Sequence, residues 1–182
     1  MLRYILGGIN RKREPERIVR PDNYYQDLLR KAYHVAESSL DPRTHNGAVL
    51  ISEDGHLIAA EPNTLPDGVR AFDRLSGPNK YKYIEHAERN VIYMAARKGL
   101  RTENAMLVCP WAACPECARA IIQARIRLVV VHEQRMLMTP LDWKADVDLG
   151  LELLKEGRVK IEAYNGKIGS VTNLARGETW EP

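Results

Sequence analysis

The second half of the chain alternates strand-like and helix-like segments with little slack between them, and this order restricts the folds open to it. Residues 104–109 (NAMLVC) are predicted as a strand, 115–124 as a helix and 127–132 (RLVVVH) as a β-branched strand. Residues 141–156 then read as a helix ended by Gly157, and 159–164 as a last strand. Strands joined by helices pair in parallel, because a parallel neighbour needs a crossover connection. The first half starts differently. Tyr25, Leu28, Leu29, Ala32, Val35 and Ala36 recur at helical spacing within 22–39, with Asp22 as the expected N-cap. Strands at 47–52 and 56–60 flank Glu53-Asp54-Gly55, and Asp-Gly is a strong hairpin signal. Residues 63–84 read as a long loop, and 85–98 as a helix closed by Gly99. The expected fold is α/β, with a mixed five-stranded sheet flanked by helices in three layers. Its first two strands form an antiparallel hairpin, and the remaining pairs are largely parallel.

Charge divides the chain. The 182 residues carry a net +3, but residues 1–20 hold six basic and two acidic side chains, +4, so the other 162 carry −1. Residues 1–21 read as a basic, flexible N-terminal tail, 22–164 as the folded domain and 165–182 as an irregular C-terminal tail. A polynucleotide ligand leaves a basic stripe, and a near-neutral body argues against one. No apolar run approaches the ~20 residues that span a bilayer, and the start lacks the order of a signal peptide. Three cysteines are too few and too odd a number for a secreted disulfide framework, so a cytoplasmic setting is expected.

Two short motifs carry the chemistry: His86-Ala87-Glu88 and Cys114-Pro115-Glu116-Cys117. Each lies at the start of a predicted helix. In an open α/β sheet such starts gather at the carboxyl edge of the strands, where ligands bind. Unpaired N–H groups and a partial positive charge there favour thiolate over thiol. Cys114 and Cys117, about one turn apart, can reach one ion, and His86 supplies a third ligand. Two thiolates and an imidazole suit Zn2+, and three protein ligands leave a fourth position for water, the pattern of a catalytic site. Zinc lowers the pKa of that water toward ~7 and yields a hydroxide, with Glu88 placed to shuttle its proton.

This pattern resembles the zinc nucleobase deaminases, whose signature is H-x-E followed by P-C-x-x-C. The likeness extends to 39–49 (SLDPRTHNGAV), Asn63-x-x-Pro66-x-Gly68, 85–90 (EHAERN) and 117–122 (CARAII), which are similar to deoxycytidylate (dCMP) deaminases. It implies the cytidine-deaminase-like fold and hydrolysis of dCMP to dUMP and ammonia. It also implies Zn2+ on His86, Cys114 and Cys117, with Glu88 as proton shuttle. Asn63, Ala87, Trp111 and Ala113 would then meet the substrate, Asn63 at the sugar or base. A homo-oligomer, such as a hexamer, is part of the resemblance. Where the family has proline before the first cysteine this chain has Ala113, so Trp111 either enters the wall of the base pocket or packs in the core.

Other readings share some of these residues. A modified cytosine nucleotide, free cytidine or tRNA adenosine would need the same zinc chemistry. A Cys-x-x-Cys thiol–disulfide oxidoreductase would use Cys114 and Cys117 but leave His86 and Glu88 without work. Arg70, Arg74, Lys80 and Lys82 in the long loop are candidate phosphate ligands. Cys109, ending a strand, reads as a small core residue.

Overall fold

The computed structural model describes residues 23–70, 73, 75–77 and 79–182. The basic tail 1–21, Asp22, Phe72 and Arg74 lie outside the described residues. Helix α1 (Tyr24–Ala36) is followed by the antiparallel hairpin of β1 (Gly47–Ile51) and β2 (Leu57–Pro62), with Val49 opposite Ala60. Helix α2 (Ala87–Arg97) and strand β3 (Met106–Val108) come next, and β3 lies antiparallel to β1. Helix α3 (Pro115–Gln123) leads to β4 (Leu128–His132), and β4 is parallel to β3 as the crossover requires. A short α4 (Glu133–Leu137) and the long α5 (Leu141–Glu156) precede β5 (Lys160–Tyr164), parallel to β4. The sheet order is β2-β1-β3-β4-β5, the expected mixed five-stranded α/β arrangement.

Strand residues alternate between two buried faces. Ala48, Leu50, Leu107, Val129 and Val131 pack with α2, α3 and α5. Val49, Ile51, Met106, Val108, Leu128 and Val130 pack with α1 and with Ile168 and Val171 beyond β5. That burial on both sides explains why these strands read as continuous apolar runs. Helix α1 lies close on β1 at Gly47, where a Cβ would fall 2.1 Å from Ala32 O. No helix among the described residues is long and apolar enough to cross a membrane.

Two elements differ from expectation. Helix α4 was not anticipated, since five residues are too few to display a helical period. The segment 165–182, expected to be irregular, instead forms an antiparallel hairpin of β6 (Asn173–Ala175) and β7 (Glu178–Trp180). Three-residue strands carry no readable alternation, and this hairpin owes its place to non-local contacts. His45 N–H donates to Leu174 O at 2.8 Å, Gly177 N–H donates to Arg43 O at 2.7 Å, and Trp180 stacks on His132 at 6.0 Å and 13°.

His132 is fully buried in that contact. Gly166 O, 3.1 Å away, can only accept, so Nε2 carries the proton and Nδ1 accepts from Tyr33 OH at 2.8 Å. Burial holds the imidazole pKa below its ordinary value, against the Gly166 hydrogen bond and the Glu133 charge. The folded protein therefore takes up this proton less readily than the unfolded chain. The contribution is complete above about pH 6.5 and is lost as the pH falls from there through the lower folded value. In thermal melts between pH 8 and pH 5, wild type is expected to lose stability over this interval more steeply than His132→Gln. Equal slopes would show that His132 does not titrate with unfolding.

Candidate active site

The two motifs meet at the starts of α2 and α3. His86 is the N-cap of α2 and Cys114 the N-cap of α3, both extended, with Pro115 at the first helical position where its missing N–H leaves no bond unmade. Asn90 Nδ2 donates to Pro62 O at 2.8 Å and ties the first turn of α2 to the end of β2. His86 Nδ1 lies 3.5 Å from both Cys114 Sγ and Cys117 Sγ, and the three ligand atoms fall within 4.8 Å of one another. With Zn–S near 2.3 Å and Zn–N near 2.0–2.1 Å, an N–S edge of a tetrahedron measures about 3.6 Å, so the donor set fits zinc in type and spacing. Cys109, buried and hydrogen-bonded to Asn46 and Trp111, stands apart from the ligand set.

The two thiols do not titrate alike. A hydrogen bond from Cys117, reinforced by His86, holds the Cys114 thiol down to about 3 against burial, while Cys117 is pushed up in return. Arg89 sits behind both sulfurs, its Nη1 3.5 Å from Cys117 and 3.9 Å from Cys114, and Glu85 grips its guanidinium. Groups behind metal ligands typically alter affinity by about 10–100-fold. Arg89→Ala is expected to weaken zinc binding by a factor in that range in competition with a chromophoric chelator. An unchanged affinity would remove Arg89 from the site.

Glu88 is buried, and its Oε2 has no hydrogen-bond partner within the protein. A buried carboxylate oxygen is costly to leave unpaired unless a proton, water or ligand meets it. Burial pushes the Glu88 carboxyl pKa above its ordinary value, opposed chiefly by the charge of His86.

His86, Ala87, Glu88 and Cys114 open into a cleft of about 870 Å³, including its mouth. Trp111 lines it, its Nε1 donating to Thr139 Oγ1 at 3.0 Å and its ring covered behind by Arg135 at 4.4 Å. Asn63 also lines the cleft, but most of its amide is engaged in the scaffold. Its Oδ1 accepts from Ser39 Oγ at 2.7 Å and from Asn46 N at 2.8 Å, and Nδ2 donates to Thr44 O at 2.8 Å, leaving one N–H. Ala112 rather than Ala113 faces the cleft, and the peptide between them is cis. Ala113 packs instead against α5, where a Cβ on Gly150 would fall 1.8 Å from Ala113 O.

Trp143, Arg43 and Arg176 are among the cleft residues that sequence reading missed. Trp143, on the first turns of α5, meets Trp111 at 5.8 Å, Tyr81 at 5.1 Å and His86 at 6.0 Å. Arg43 and Arg176 line the mouth. Of the loop cations expected there, Lys80 is buried, with Nζ 2.8 Å from both Asp41 oxygens, while Arg70 and Lys82 do not line the cleft. Arg43 carried a local signal within 39–49, whereas Trp143 and Arg176 reach the site through tertiary packing alone.

The profile described as "Cytidine and deoxycytidylate deaminase zinc-binding region" matches residues 22–133, more than half of the chain, a span that includes His86, Cys114 and Cys117. The chain belongs to the cytidine and deoxycytidylate deaminase family. It is 28% identical over 116 residues to the "Probable deoxycytidylate deaminase" of Caenorhabditis elegans, covering 61% of this chain and 58% of that protein. It is likewise 28% identical over 108 residues to the human "Deoxycytidylate deaminase", covering 54% of this chain and 58% of the other. The chain thus spans under two thirds of the length of these relatives. Among solved structures, the dCMP deaminase of cyanophage S-TIM5 in complex with dCMP and dUMP superposes with a TM-score of 0.64 at 22% identity, over 80% of this chain and all of the other. That likeness shows the deaminase fold. The β6–β7 hairpin lies outside the matched zinc-binding region.

Proposed function

We propose that the protein is a zinc-dependent hydrolase that deaminates a pyrimidine deoxynucleotide, dCMP plus water giving dUMP plus ammonia. The observation that carries the reading is the His86–Cys114–Cys117 cluster, at tetrahedral spacing, beside the unpartnered Glu88 Oε2 in one cleft. His86 Nδ1 and the two sulfurs would hold Zn2+, which when bound acidifies water so that it attacks carbon at neutral pH. Glu88 takes a proton from that water and delivers it to the departing amino group. Arg89 holds the sulfurs in place. Trp111 and Trp143 wall the cleft with aromatic surface suited to a planar base, and the start of α2 at Ala87 supplies its floor. Asn63 offers its one remaining N–H toward a sugar or base oxygen.

The names of the deoxycytidylate deaminase relatives support dCMP over free cytidine, and the near-neutral body supports a mononucleotide over tRNA. A thiol–disulfide role is disfavoured, because both sulfurs face His86 and Arg89. Free thiols at Cys109, Cys114 and Cys117 fit a reducing, cytoplasmic setting. The reading includes a homo-oligomer, such as a hexamer; Leu137 and Leu141, 79% and 93% exposed, offer apolar surface for it. Ammonia release should be measured from dCMP, CMP, cytidine, deoxycytidine, a 5-substituted dCMP and a tRNA anticodon stem. Highest kcat/KM on dCMP is expected; turnover of the RNA stem with none of dCMP would overturn the substrate assignment.

A further inference from the structure

The catalytic steps leave two arginines at the mouth of the cleft without a role. Arg43 lies between α1 and β1, and Arg176 lies in the turn between β6 and β7. Hydrogen bonds hold the two segments side by side. Gly177 N–H donates to Arg43 O at 2.7 Å, Arg176 N–H to Thr44 Oγ1 at 3.3 Å, and Asn173 Nδ2 to His45 O at 3.2 Å. Among the described residues no carboxylate pairs with the Arg43 side chain. Arg176 Nη1 meets Asp142 Oδ1 at 3.2 Å, with the two side chains 49% and 64% exposed.

A pair this exposed is weak and readily exchanged. Asp142 stands in the first turn of α5, where the helix N-terminus favours a carboxylate, so it stays stabilised when its arginine leaves. Two guanidinium groups at one mouth present planar donor forks matched to the oxygens of a phosphate. Lys80 is locked onto buried Asp41 and cannot compete for that task.

We propose that Arg176, brought to the cleft by the C-terminal hairpin, is a specificity residue that grips the phosphate of a nucleoside monophosphate together with Arg43, exchanging Asp142 for the phosphate. The proposal rests on the nucleotide-deaminase reading and gives the hairpin, which lies outside the matched zinc-binding region, a part in substrate choice.

The test compares kcat and KM on dCMP and on deoxycytidine for wild type, Arg176→Gln, Arg176→Lys and Asp142→Asn, with zinc content and melting curves as controls for folding. Arg176→Gln is expected to lower the ratio of kcat/KM for dCMP over deoxycytidine by roughly 10- to 100-fold, mainly through KM. Arg176→Lys, which keeps the charge but not the fork, should fall between. Asp142→Asn, which removes the competing carboxylate, should lower KM for dCMP. Proportionate losses on both substrates in Arg176→Gln would assign the arginine a merely structural role and overturn the proposal. Wild type that prefers dCMP beside an Arg176→Gln variant with the same preference would sink only the arginine assignment. Wild type with no preference for the nucleotide would sink the nucleotide reading as well.

Discussion

Glu88→Gln is expected to lower kcat on dCMP by about 10²–10⁴-fold while the protein keeps its zinc, because the amide preserves shape but cannot carry the proton. Steady-state rates read beside metal content separate this outcome from loss of the ion. The same substitution has an opposite effect on stability. In the metal-free protein burial raises the Glu88 pKa, so the folded state holds this proton more tightly than the unfolded chain. Stability then falls as pH rises from the ordinary carboxylate range through the raised folded value. Glutamine removes that loss. In the presence of a chelator Glu88→Gln should melt above wild type at pH 8, with the gap closing toward about pH 4. A variant with full activity, or one that melts below wild type at pH 8, would contradict the role given to this carboxylate.

Gly150→Ala is expected to damage both fold and metal site, although alanine favours a helix by about 1 kcal/mol over glycine. The added Cβ would lie 1.8 Å from Ala113 O, 2.8 Å from Ala113 C and 3.1 Å from Cys114 C. These are backbone atoms, which cannot rotate away as a side-chain end can. Overpacking of this kind costs about 1–3 kcal/mol and occasionally more, so it outweighs the gain in helix propensity. The shift falls on the peptide that carries Cys114, so zinc affinity should drop along with the melting temperature. If melting temperature and zinc affinity were both unchanged, α5 would not press on the ligand loop as described.

What could be read from sequence follows from how local each signal is. The β-α-β-α-β order from β3 to β5 was legible because β3 and β4 are buried along their whole length and α5 has a stop at Gly157. The His86–Cys114–Cys117 cluster was legible because Cys114 and Cys117 are one helical turn apart and His86 caps the neighbouring helix. Residues whose role depends on distant partners were not. Lys80 read as a candidate phosphate ligand until Asp41 buried it, and Ala113 resembled a pocket residue until Gly150 covered it. Trp143 and Arg176 join the cleft only when α5 and the last hairpin fold over it, and nothing in their local sequence marks that.

On the proposed function, the His86–Cys114–Cys117 cluster holds the zinc on which dCMP deamination depends. Ammonia release from dCMP by the purified protein should be followed as prepared, after complete removal of metal by a chelator, and after zinc is returned. One zinc per chain is expected, with activity lost on removal and restored on return. Full turnover of dCMP by metal-free protein would contradict the account.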